Sequence, residues 1–220
     1  MLLPGKPLAV LVSGGLDSAV LLGTSLSSHP AVYPLYVRSG LAWEPVEMEC
    51  LTRFLTALAG PPLKPLVTLE LPVRDLYDNA HWAITGRDVP GAESSDEAVY
   101  LPGRNVLLLS KALLWCHLHD VPTLALATLA RNPFPDATPE FFEAFAAAVN
   151  RAVGGRTQVV APFAGLSKTD VIRRGRDLPL QFTLSCLRPV GGRHCGRCNK
   201  CAERRAAFQA AGIVDPANPR

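Results

Sequence analysis

The sequence lacks any run of about 18 consecutive apolar residues, the length that a membrane-spanning helix needs. The most apolar stretches are residues 8–12, which are too few, and residues 106–118, which Lys111 interrupts. The N-terminus carries Lys6 but no long apolar run followed by a cleavage site, so it does not have the pattern of a signal peptide. We therefore expect no membrane partner and a cytoplasmic location.

The sequence also lacks a strong charge of either sign. Its 22 lysines and arginines nearly balance 19 aspartates and glutamates, which leaves a formal net charge of +3. This balance does not require a nucleic-acid partner, although basic residues are frequent between Lys168 and Arg205. Hydrophobic residues make up 48% of the chain, which excludes wholesale disorder. We expect residues 1–220 to form a single domain, because a chain of this length can bury one large core.

Cysteine is scarce outside one short segment. Cys50 and Cys116 stand alone within helical patterns and are interpreted as small buried hydrophobic residues. The other four have the spacing Cys-x8-Cys-x2-Cys-x2-Cys, and they are Cys186, Cys195, Cys198 and Cys201. In a reducing compartment, this spacing indicates a metal site rather than disulfides.

Four thiolates are the complete ligand set of a tetrahedral structural zinc site, which leaves no position for water. We therefore expect residues 186–201 to be a segment that binds Zn²⁺ and packs on the domain. Two alternatives use the same thiolates, namely a pair of redox-active Cys-x-x-Cys motifs and an iron–sulfur cluster. His194 is expected to lie beside the site or at the surface rather than to be a ligand.

Short apolar runs alternate with helical patterns along the chain. The runs predict strands at residues 8–12, 31–37, 66–71, 123–127 and 158–161. Helical patterns lie at residues 18–27, 46–58, 106–119, 138–152, from 167 onward and 202–211. This alternation predicts an α/β fold, with a mostly parallel twisted sheet and helices on both faces.

Between residues 72 and 104 the periodicity fails. A gap of that length within a compact domain is typical of a functional loop or lid. The gap leaves room for a short helix near residues 75–82. His81 and Trp82 are expected to pack within this loop rather than to contact a ligand.

A glycine-rich turn joins the first predicted strand to the first helix. Glycines allow a tight turn, and the N-terminus of the helix adds partial positive charge, so this turn suits a phosphate group. The motif is neither a Walker A loop nor a dinucleotide fingerprint. The alternative is a plain turn in which Asp17 or Ser18 caps the helix. The six residues of the turn are Ser13, Gly14, Gly15, Leu16, Asp17 and Ser18.

This Ser-Gly-Gly-x-Asp-Ser loop resembles the pyrophosphate loop of the N-type ATP pyrophosphatases. These enzymes adenylate a carboxylate or carbonyl group, and ammonia or sulfur then displaces AMP. The resemblance implies an adenine nucleotide alpha hydrolase-like, Rossmann-type fold that binds ATP and Mg²⁺, with Asp17 ordering the loop or assisting Mg²⁺ and Lys168 beside the phosphates. It also implies that the nucleotide contacts Val12, Ser13, Gly14, Gly15, Leu16, Asp17, Ser18, Tyr36 and Arg38.

Two further stretches are typical of one family within that superfamily. Residues 101–105 (Leu-Pro-Gly-Arg-Asn) and 134–142 (Phe-Pro-Asp-Ala-Thr-Pro-Glu-Phe-Phe) resemble motifs of the 7-cyano-7-deazaguanine synthase family of queuosine biosynthesis. The resemblance implies an ATP-dependent carbon–nitrogen ligase that converts 7-carboxy-7-deazaguanine, with ammonia, to 7-cyano-7-deazaguanine. It implies catalytic roles for Asp17, Lys168 and Arg104, and a homodimer. Asp136 is expected to bind substrate or to cap the turn that follows it.

The chain departs from the family pattern at residues 129–134. There the acidic residue that would pair with a guanine-like edge is missing, and the loop contains Arg131 instead. Three alternatives therefore stay open: a paralogue with the same ATP chemistry on another acceptor, an ATP-dependent tRNA-modifying thiolase, and a non-enzymatic zinc module that binds nucleic acid. The last of these leaves the glycine-rich loop unexplained.

Overall fold

The computed structural model describes residues 4–217 of the chain. Its strands are β1 (Leu8–Leu11), β2 (Val32–Arg38), β3 (Val67–Glu70), β4 (Thr123–Ala125) and β5 (Gln158–Val160). They form a five-stranded sheet in the order β3-β2-β1-β4-β5, and every neighbouring pair is parallel. The predicted parallel sheet is therefore confirmed, and each predicted strand ends within about two residues of the observed one, an ordinary boundary error.

The helices alternate with the strands along the chain. They are α1 (Leu16–Ser25), α2 (Glu44–Ala57), α3 (Trp82–Thr85), α4 (Arg104–Leu118), α5 (Pro139–Val153), α6 (Lys168–Arg174) and α7 (Asn199–Ala211). Short 3-10 turns lie at Asp96–Val99, Pro135–Ala137 and Leu180–Phe182. No helix within residues 4–217 is both long enough and apolar enough to cross a membrane.

Two hydrophobic cores lie on opposite faces of the sheet. Leu8 and Val10 of β1 pack against α1, α2, α6 and α7. Ala9 packs with α4 and α5 in the second core, since successive side chains of a strand point to opposite faces. The expected arrangement of helices on both faces is confirmed. Cys116 is fully buried in the second core, as expected, whereas Cys50 is half-buried.

Local capping signals fix the starts of two helices. The Thr138 hydroxyl accepts a hydrogen bond from the Phe141 N–H at 3.1 Å, and Pro139 occupies the first turn of α5. Ser167 and Asp170 form a reciprocal capping box at the start of α6. Both predicted helix starts are confirmed.

The aperiodic stretch after β3 contains the short helix α3. This helix begins at Trp82, where the predicted range of 75–82 ends. The His81 side chain accepts a hydrogen bond from the Ala83 N–H at 3.2 Å, and Gly86 ends the helix in the left-handed conformation, with φ 67°. Trp82 stacks on Trp43, the N-cap of α2, with 5.8 Å between ring centroids, and it also lines the main cavity, so it does not pack within the loop alone as expected.

A buried ion pair attaches the chain beyond α7 to the helix. The Arg204 side chain is 2% exposed and forms a bidentate ion pair with Asp215. The Nε–Oδ2 distance is 2.6 Å and the Nη2–Oδ1 distance is 2.8 Å. It also donates to the Thr183 hydroxyl at 2.9 Å and lies over the Phe208 ring. Burial alone raises the pKa of Asp215, but Arg204 outweighs it and the pKa is lowered.

Replacing Asp215 by asparagine is expected to destabilise the fold by about 3–5 kcal/mol at neutral pH, because it leaves a buried guanidinium without its counter-charge. The lowered pKa means that this contribution is present above the pKa of the unfolded carboxyl and is lost as the pH falls through the folded value. The urea midpoints of the variant and of the native protein should therefore converge at acidic pH. Asp177→Asn, at an exposed pair with Arg176, is the matched control and should not change the unfolding midpoint. A neutral-pH midpoint unchanged in Asp215→Asn would contradict the prediction.

Candidate active site

A cavity of about 760 Å³ opens at the carboxyl ends of β1, β2 and β4. The strand order reverses at β1, and ligands of open parallel sheets bind in the crevice at such a reversal. The walls come from the starts of α1, α4 and α6, from α2, from the segment after β4, from residues 96–101 and 184–187, and from Lys200 and Glu203 of α7. Separate parts of the chain therefore meet around one space.

The glycine-rich loop forms one wall of this cavity. Gly15 is the N-cap of α1, and no side chain caps that end of the helix. The Ser13 N–H donates to the Ser18 hydroxyl at 3.2 Å, and this hydroxyl donates to the Gly15 carbonyl at 3.2 Å. The alternative in which Asp17 or Ser18 caps the helix is therefore wrong. The first-turn N–H groups of α1 remain available to an anion.

The loop and α2 approach each other closely at Gly14. This residue has φ 66°, which favours glycine. A Cβ atom built on it would lie 2.6 Å from the Glu47 carbonyl oxygen and 3.0 Å from Glu47 Cγ. Only glycine fits this position. Because it has no side chain, α2 can pack directly against the glycine-rich loop of residues 13–18.

Lys168 lies at the centre of a chain of charges beside the loop. Its Nζ is 3.1 Å from Asp17 Oδ2 and 2.7 Å from Glu203 Oε1. Lys200 extends the chain, with its Nζ 2.9 Å from Glu203 Oε2 and 3.7 Å from Asp96 Oδ1. Three helices and a turn of the long loop thus contribute one network of alternating sign.

The network keeps its central groups ionised. Burial lowers the pKa of Lys168, whose side chain is 16% exposed, but Asp17 and Glu203 outweigh burial and hold the pKa above its ordinary value. Burial raises the pKa of Glu203, but Lys168 and Lys200 outweigh it and lower this pKa to about 2. Lys168 is therefore a permanent cation in the cavity wall at physiological pH.

Arg104 is the first residue of α4 and lines the same cavity. Its Nε is buried and has no hydrogen-bond partner within the described part of the chain. Asp136 holds this helix start in place, because its Oδ2 accepts from the Asn105 N–H at 3.0 Å and its carbonyl accepts from Asn105 Nδ2 at 2.9 Å. Asp136 thus caps α4, rather than the turn that follows it, and leaves Arg104 directed to the cavity.

The two residues expected near the nucleotide base are not brought together. Tyr36 lines the cavity, and its hydroxyl donates to Glu47 Oε2 at 2.7 Å. Arg38 lies at the surface instead, and its guanidinium pairs with Glu70 at 3.2 Å. Of the residues predicted at the nucleotide, Gly14 and Arg38 do not line this cavity.

Glu47 is a cavity residue that the sequence analysis did not identify. It precedes Leu51 by one helical turn on the buried face of α2, so an acidic residue within an apolar pattern was the available signal. Burial raises its pKa to about 7, although the charge of Arg104 and the hydrogen bond from Tyr36 oppose that rise. Glu203 and Lys200 were missed as well, because no local motif marks them.

The loop that departs from the family pattern reaches the cavity. Arg131 and Asn132 of this loop line the cavity, and so does Thr128 just before it, whose hydroxyl is buried without a partner among the described residues. Phe134 also lines it and stacks on Tyr100 with 4.8 Å between ring centroids. The altered residues therefore lie where they can affect the choice of ligand.

The four clustered cysteines converge at the start of α7. Their sulfur atoms all lie within 4.8 Å of one another, and the Cys195 and Cys201 sulfurs are 3.9 Å apart. Zinc–sulfur bonds of about 2.3 Å in a tetrahedron place the sulfurs about 3.8 Å apart, so the cluster fits a metal ion of this kind. Cys198 is the N-cap of α7, which links the cluster to the helix that carries Lys200 and Glu203.

His194 lies beside the cysteine cluster, as expected. Its Nε2 accepts a hydrogen bond from the Ser185 N–H at 2.9 Å. Burial, with the charge of Arg204, lowers its pKa to about 4, so the ring is neutral at physiological pH. The metal-binding group found within residues 4–217 consists of the four cysteines without this histidine.

The chain is similar to known proteins over most of its length. The family model described as "Queuosine biosynthesis protein QueC" matches residues 8–212. The 7-cyano-7-deazaguanine synthase of Syntrophus aciditrophicus (strain SB) is 33% identical over 232 residues, which cover 97% of each chain. That of Xanthomonas oryzae pv. oryzae (strain PXO99A) is 35% identical over 222 residues, or 96% of each chain. The solved NMN synthetase of Francisella tularensis matches 96% of this chain and 78% of its own at 13% identity, with a TM-score of 0.47, which does not bear on function.

Proposed function

Since this chain belongs to the QueC family of queuosine biosynthesis proteins, we propose that it converts 7-carboxy-7-deazaguanine to 7-cyano-7-deazaguanine with ATP and ammonia. The observation that carries the proposal is the meeting, in one cavity, of an uncapped helix N-terminus with Lys168 and Arg104. These groups suit two anions, a polyphosphate and a carboxylate, held side by side.

The nucleotide binds with its phosphates on the loop of residues 13–18. The first-turn N–H groups of α1 and the ammonium group of Lys168 face the negative charge there. Asp17 Oδ1 is buried and has no partner among residues 4–217, so it is the hard oxygen ligand that Mg²⁺ prefers. Tyr36, rather than Arg38, lies near the base and ribose in this proposal.

The reaction begins when a substrate carboxylate oxygen attacks the α-phosphorus of ATP and pyrophosphate leaves. Lys168 and the loop N–H groups stabilise the charge that develops on the departing pyrophosphate. Arg104 orients the substrate carboxylate, because its planar guanidinium matches the two oxygens and its Nε has no hydrogen-bond partner among residues 4–217. Ammonia then displaces AMP to give the amide. A second ATP activates the amide oxygen, which leaves as the nitrile forms.

The four cysteines hold a structural Zn²⁺ in this proposal. Thiolates are its preferred ligands, and four of them leave no position for a reacting molecule. The ion stabilises the segment of residues 186–201 and the first turn of α7, from which Lys200 and Glu203 reach the cavity. We further propose that residues 1–220 form a single domain, that it pairs as a homodimer, and that it acts in the cytoplasm.

A second candidate is a paralogue that applies the same ATP chemistry to another acceptor. The loop at residues 129–134 favours it, because this loop lines the cavity and contains Arg131 where the family pattern has no basic residue. A carboxylate would accept hydrogen bonds from a guanine-like edge, whereas a guanidinium can only donate them.

The test incubates the purified, metal-analysed protein with Mg-ATP, ammonium and 7-carboxy-7-deazaguanine and follows base and nucleotide by mass spectrometry. The expected result is 7-cyano-7-deazaguanine together with AMP and pyrophosphate, and no nitrile when ammonium is omitted. If the folded, metal-loaded protein binds ATP but leaves the base unchanged, 7-carboxy-7-deazaguanine is not the acceptor. The second candidate, a paralogue that acts on another acceptor, is then favoured. Iron instead of zinc in the metal analysis would favour the thiolase.

A further inference from the structure

Glu47 is a buried acid in the cavity wall to which the reaction described above gives no role. Its side chain lies on the second turn of α2, and the residue is 7% exposed. The Tyr36 hydroxyl donates to its Oε2 at 2.7 Å, and this is the one protein donor bonded to the carboxyl group among residues 4–217. Within the described part of the chain this carboxyl group has no ion-pair contact, so it is available to a ligand in the cavity.

Its position is at the centre of the proposed chemistry. The Glu47 backbone and Cγ lie against Gly14 of the glycine-rich loop. Arg104, which faces the substrate carboxylate in the proposed function, acts on the Glu47 carboxyl through its charge. In the proposed binding mode, the space next to Glu47 lies between the nucleotide phosphates and the carbon to be attacked.

The neighbouring acid Glu44 cannot play the same part. Its Oε1 accepts from the Ser39 N–H at 2.7 Å, and its Oε2 accepts from the Gly40 N–H at 2.9 Å. Both oxygens are thus used to hold the turn after β2. Glu47 is left as the acid on this helix that can exchange a proton within the cavity.

The proposed reaction requires such a group, because the nitrogen source is mostly ammonium at neutral pH, and ammonium has no lone pair with which to attack. The groups that face Glu47 are Tyr36 from β2, Arg104 from α4 and Glu44 from its own helix. Burial outweighs Arg104 and Tyr36 and raises the pKa of Glu47 to about 7. A general base with a pKa near the working pH is the most effective one.

We propose that Glu47 binds ammonium in the cavity and is the base that converts it to ammonia; this inference rests on the proposed function. The carboxylate takes one proton from ammonium. The nitrogen lone pair then attacks the carbonyl carbon of the adenylated substrate, and the carbon–nitrogen bond forms. The bond from that carbon to the AMP oxygen breaks, and its electron pair leaves with AMP. The adduct releases a second proton to solvent, so ammonium and the acyl adenylate yield the amide, AMP and two protons.

The test replaces Glu47 by glutamine, which keeps the shape and can still accept the Tyr36 hydrogen bond. Nitrile formation from ammonium at pH 7 is expected to fall about 100-fold, the usual contribution of a general base. Hydroxylamine is much less basic than ammonia and is unprotonated at neutral pH, so hydroxamate formation should stay close to the native rate. The deficit with ammonium should shrink as the pH rises and free ammonia accumulates. Glu49→Gln is the matched control, since Glu49 is an exposed acid of α2 that pairs with Arg53.

One further measurement separates this inference from its alternatives. Exchange of pyrophosphate into ATP, dependent on 7-carboxy-7-deazaguanine, reports adenylation without nitrogen. If Glu47→Gln lowers exchange, hydroxamate and nitrile formation equally, the base role is overturned and Glu47 serves adenylation or folding. If the native protein gives no exchange with this base, the proposed function fails, and the inference falls with it.

A second variant tests the role through pH alone. The hydrogen bond from Tyr36 lowers the pKa of Glu47, so Tyr36→Phe should raise that pKa. The acidic limb of the ammonium-dependent rate is then expected to move to higher pH, while the hydroxylamine reaction shows no such shift. An acidic limb in the same place for the native protein and Tyr36→Phe would overturn the assignment of that limb to Glu47.

Discussion

Replacing Lys168 by alanine is expected to lower substrate-dependent exchange of pyrophosphate into ATP by about 1,000-fold, in the range found when a preorganised charge on transferring phosphates is removed. The ammonium group lies 3.1 Å from Asp17 Oδ2, at the first turn of α1, and it is the cation that faces the phosphates in the proposed function. Because the pKa of Lys168 is raised, its loss should lower exchange to the same extent across the neutral pH range.

The fold should survive this change. Asp17 and Glu203 are partly exposed, and Glu203 keeps its contact with Lys200 at 2.9 Å, so water and Lys200 offset the missing charge. Metal content and thermal melting check this expectation. Lys111→Ala, on the exposed side of α4, is the control that removes the same charge away from the cavity. Native exchange rates in Lys168→Ala would remove the residue from the mechanism.

In the proposed function the cysteine cluster holds a structural Zn²⁺, and removing this ion is expected to have the largest effect on stability. Structural zinc contributes roughly 10–16 kcal/mol of apparent binding free energy to small zinc-dependent folds, and part of that is folding free energy here. Cys198 begins α7 and Cys201 lies in its first turn, so their release frees the end of the helix that carries Lys200 and Glu203. Chelation, or Cys198→Ser, should lower the Tm by about 10 °C or more. It should also weaken ATP binding in calorimetry.

The matched control for this experiment is Cys50→Ser. Cys50 is a half-buried cysteine of α2 that is not part of the cluster. This variant should keep its full metal content, its ATP binding and a Tm close to that of the native protein. A chelated protein with no metal, an unchanged Tm and unchanged ATP binding would show that the four cysteines do not stabilise the fold through a metal.

Much of the fold follows from local patterns. The apolar run that begins at Leu8, Thr138 with Pro139, and the capping box of Ser167 and Asp170 each depend on neighbours within one strand or one helical turn. Such signals are complete in a short stretch of sequence, since propensity and capping act over a few residues. The order of the strands, by contrast, depends on which helices cover which face of the sheet.

The candidate site was predicted in part. The loop at residues 13–18 and the spacing of the cysteines are contiguous motifs, and both form the clusters expected of them. The partners of Lys168 were not predicted, because Glu203 lies 35 residues away from it along the chain. The resemblance implied that Arg38, at the end of β2, contacts the nucleotide, yet Glu70 on the neighbouring strand pairs with it at the surface.

Local sequence patterns predict the helices and strands, the glycine-rich turn and the cysteine cluster, because the residues of each lie close together along the chain. Which charges meet and which become buried depends on tertiary packing. Packing of α2 against Gly14 places Glu47 beside Tyr36 and out of water, and burial, rather than any motif, raises its pKa to about 7. Packing of α6 against α1 and α7 likewise places Lys168 between the carboxylates of Asp17 and Glu203. Electrostatic energy depends on distance and solvent exposure in space, so the chemistry of these groups arises when the chain folds.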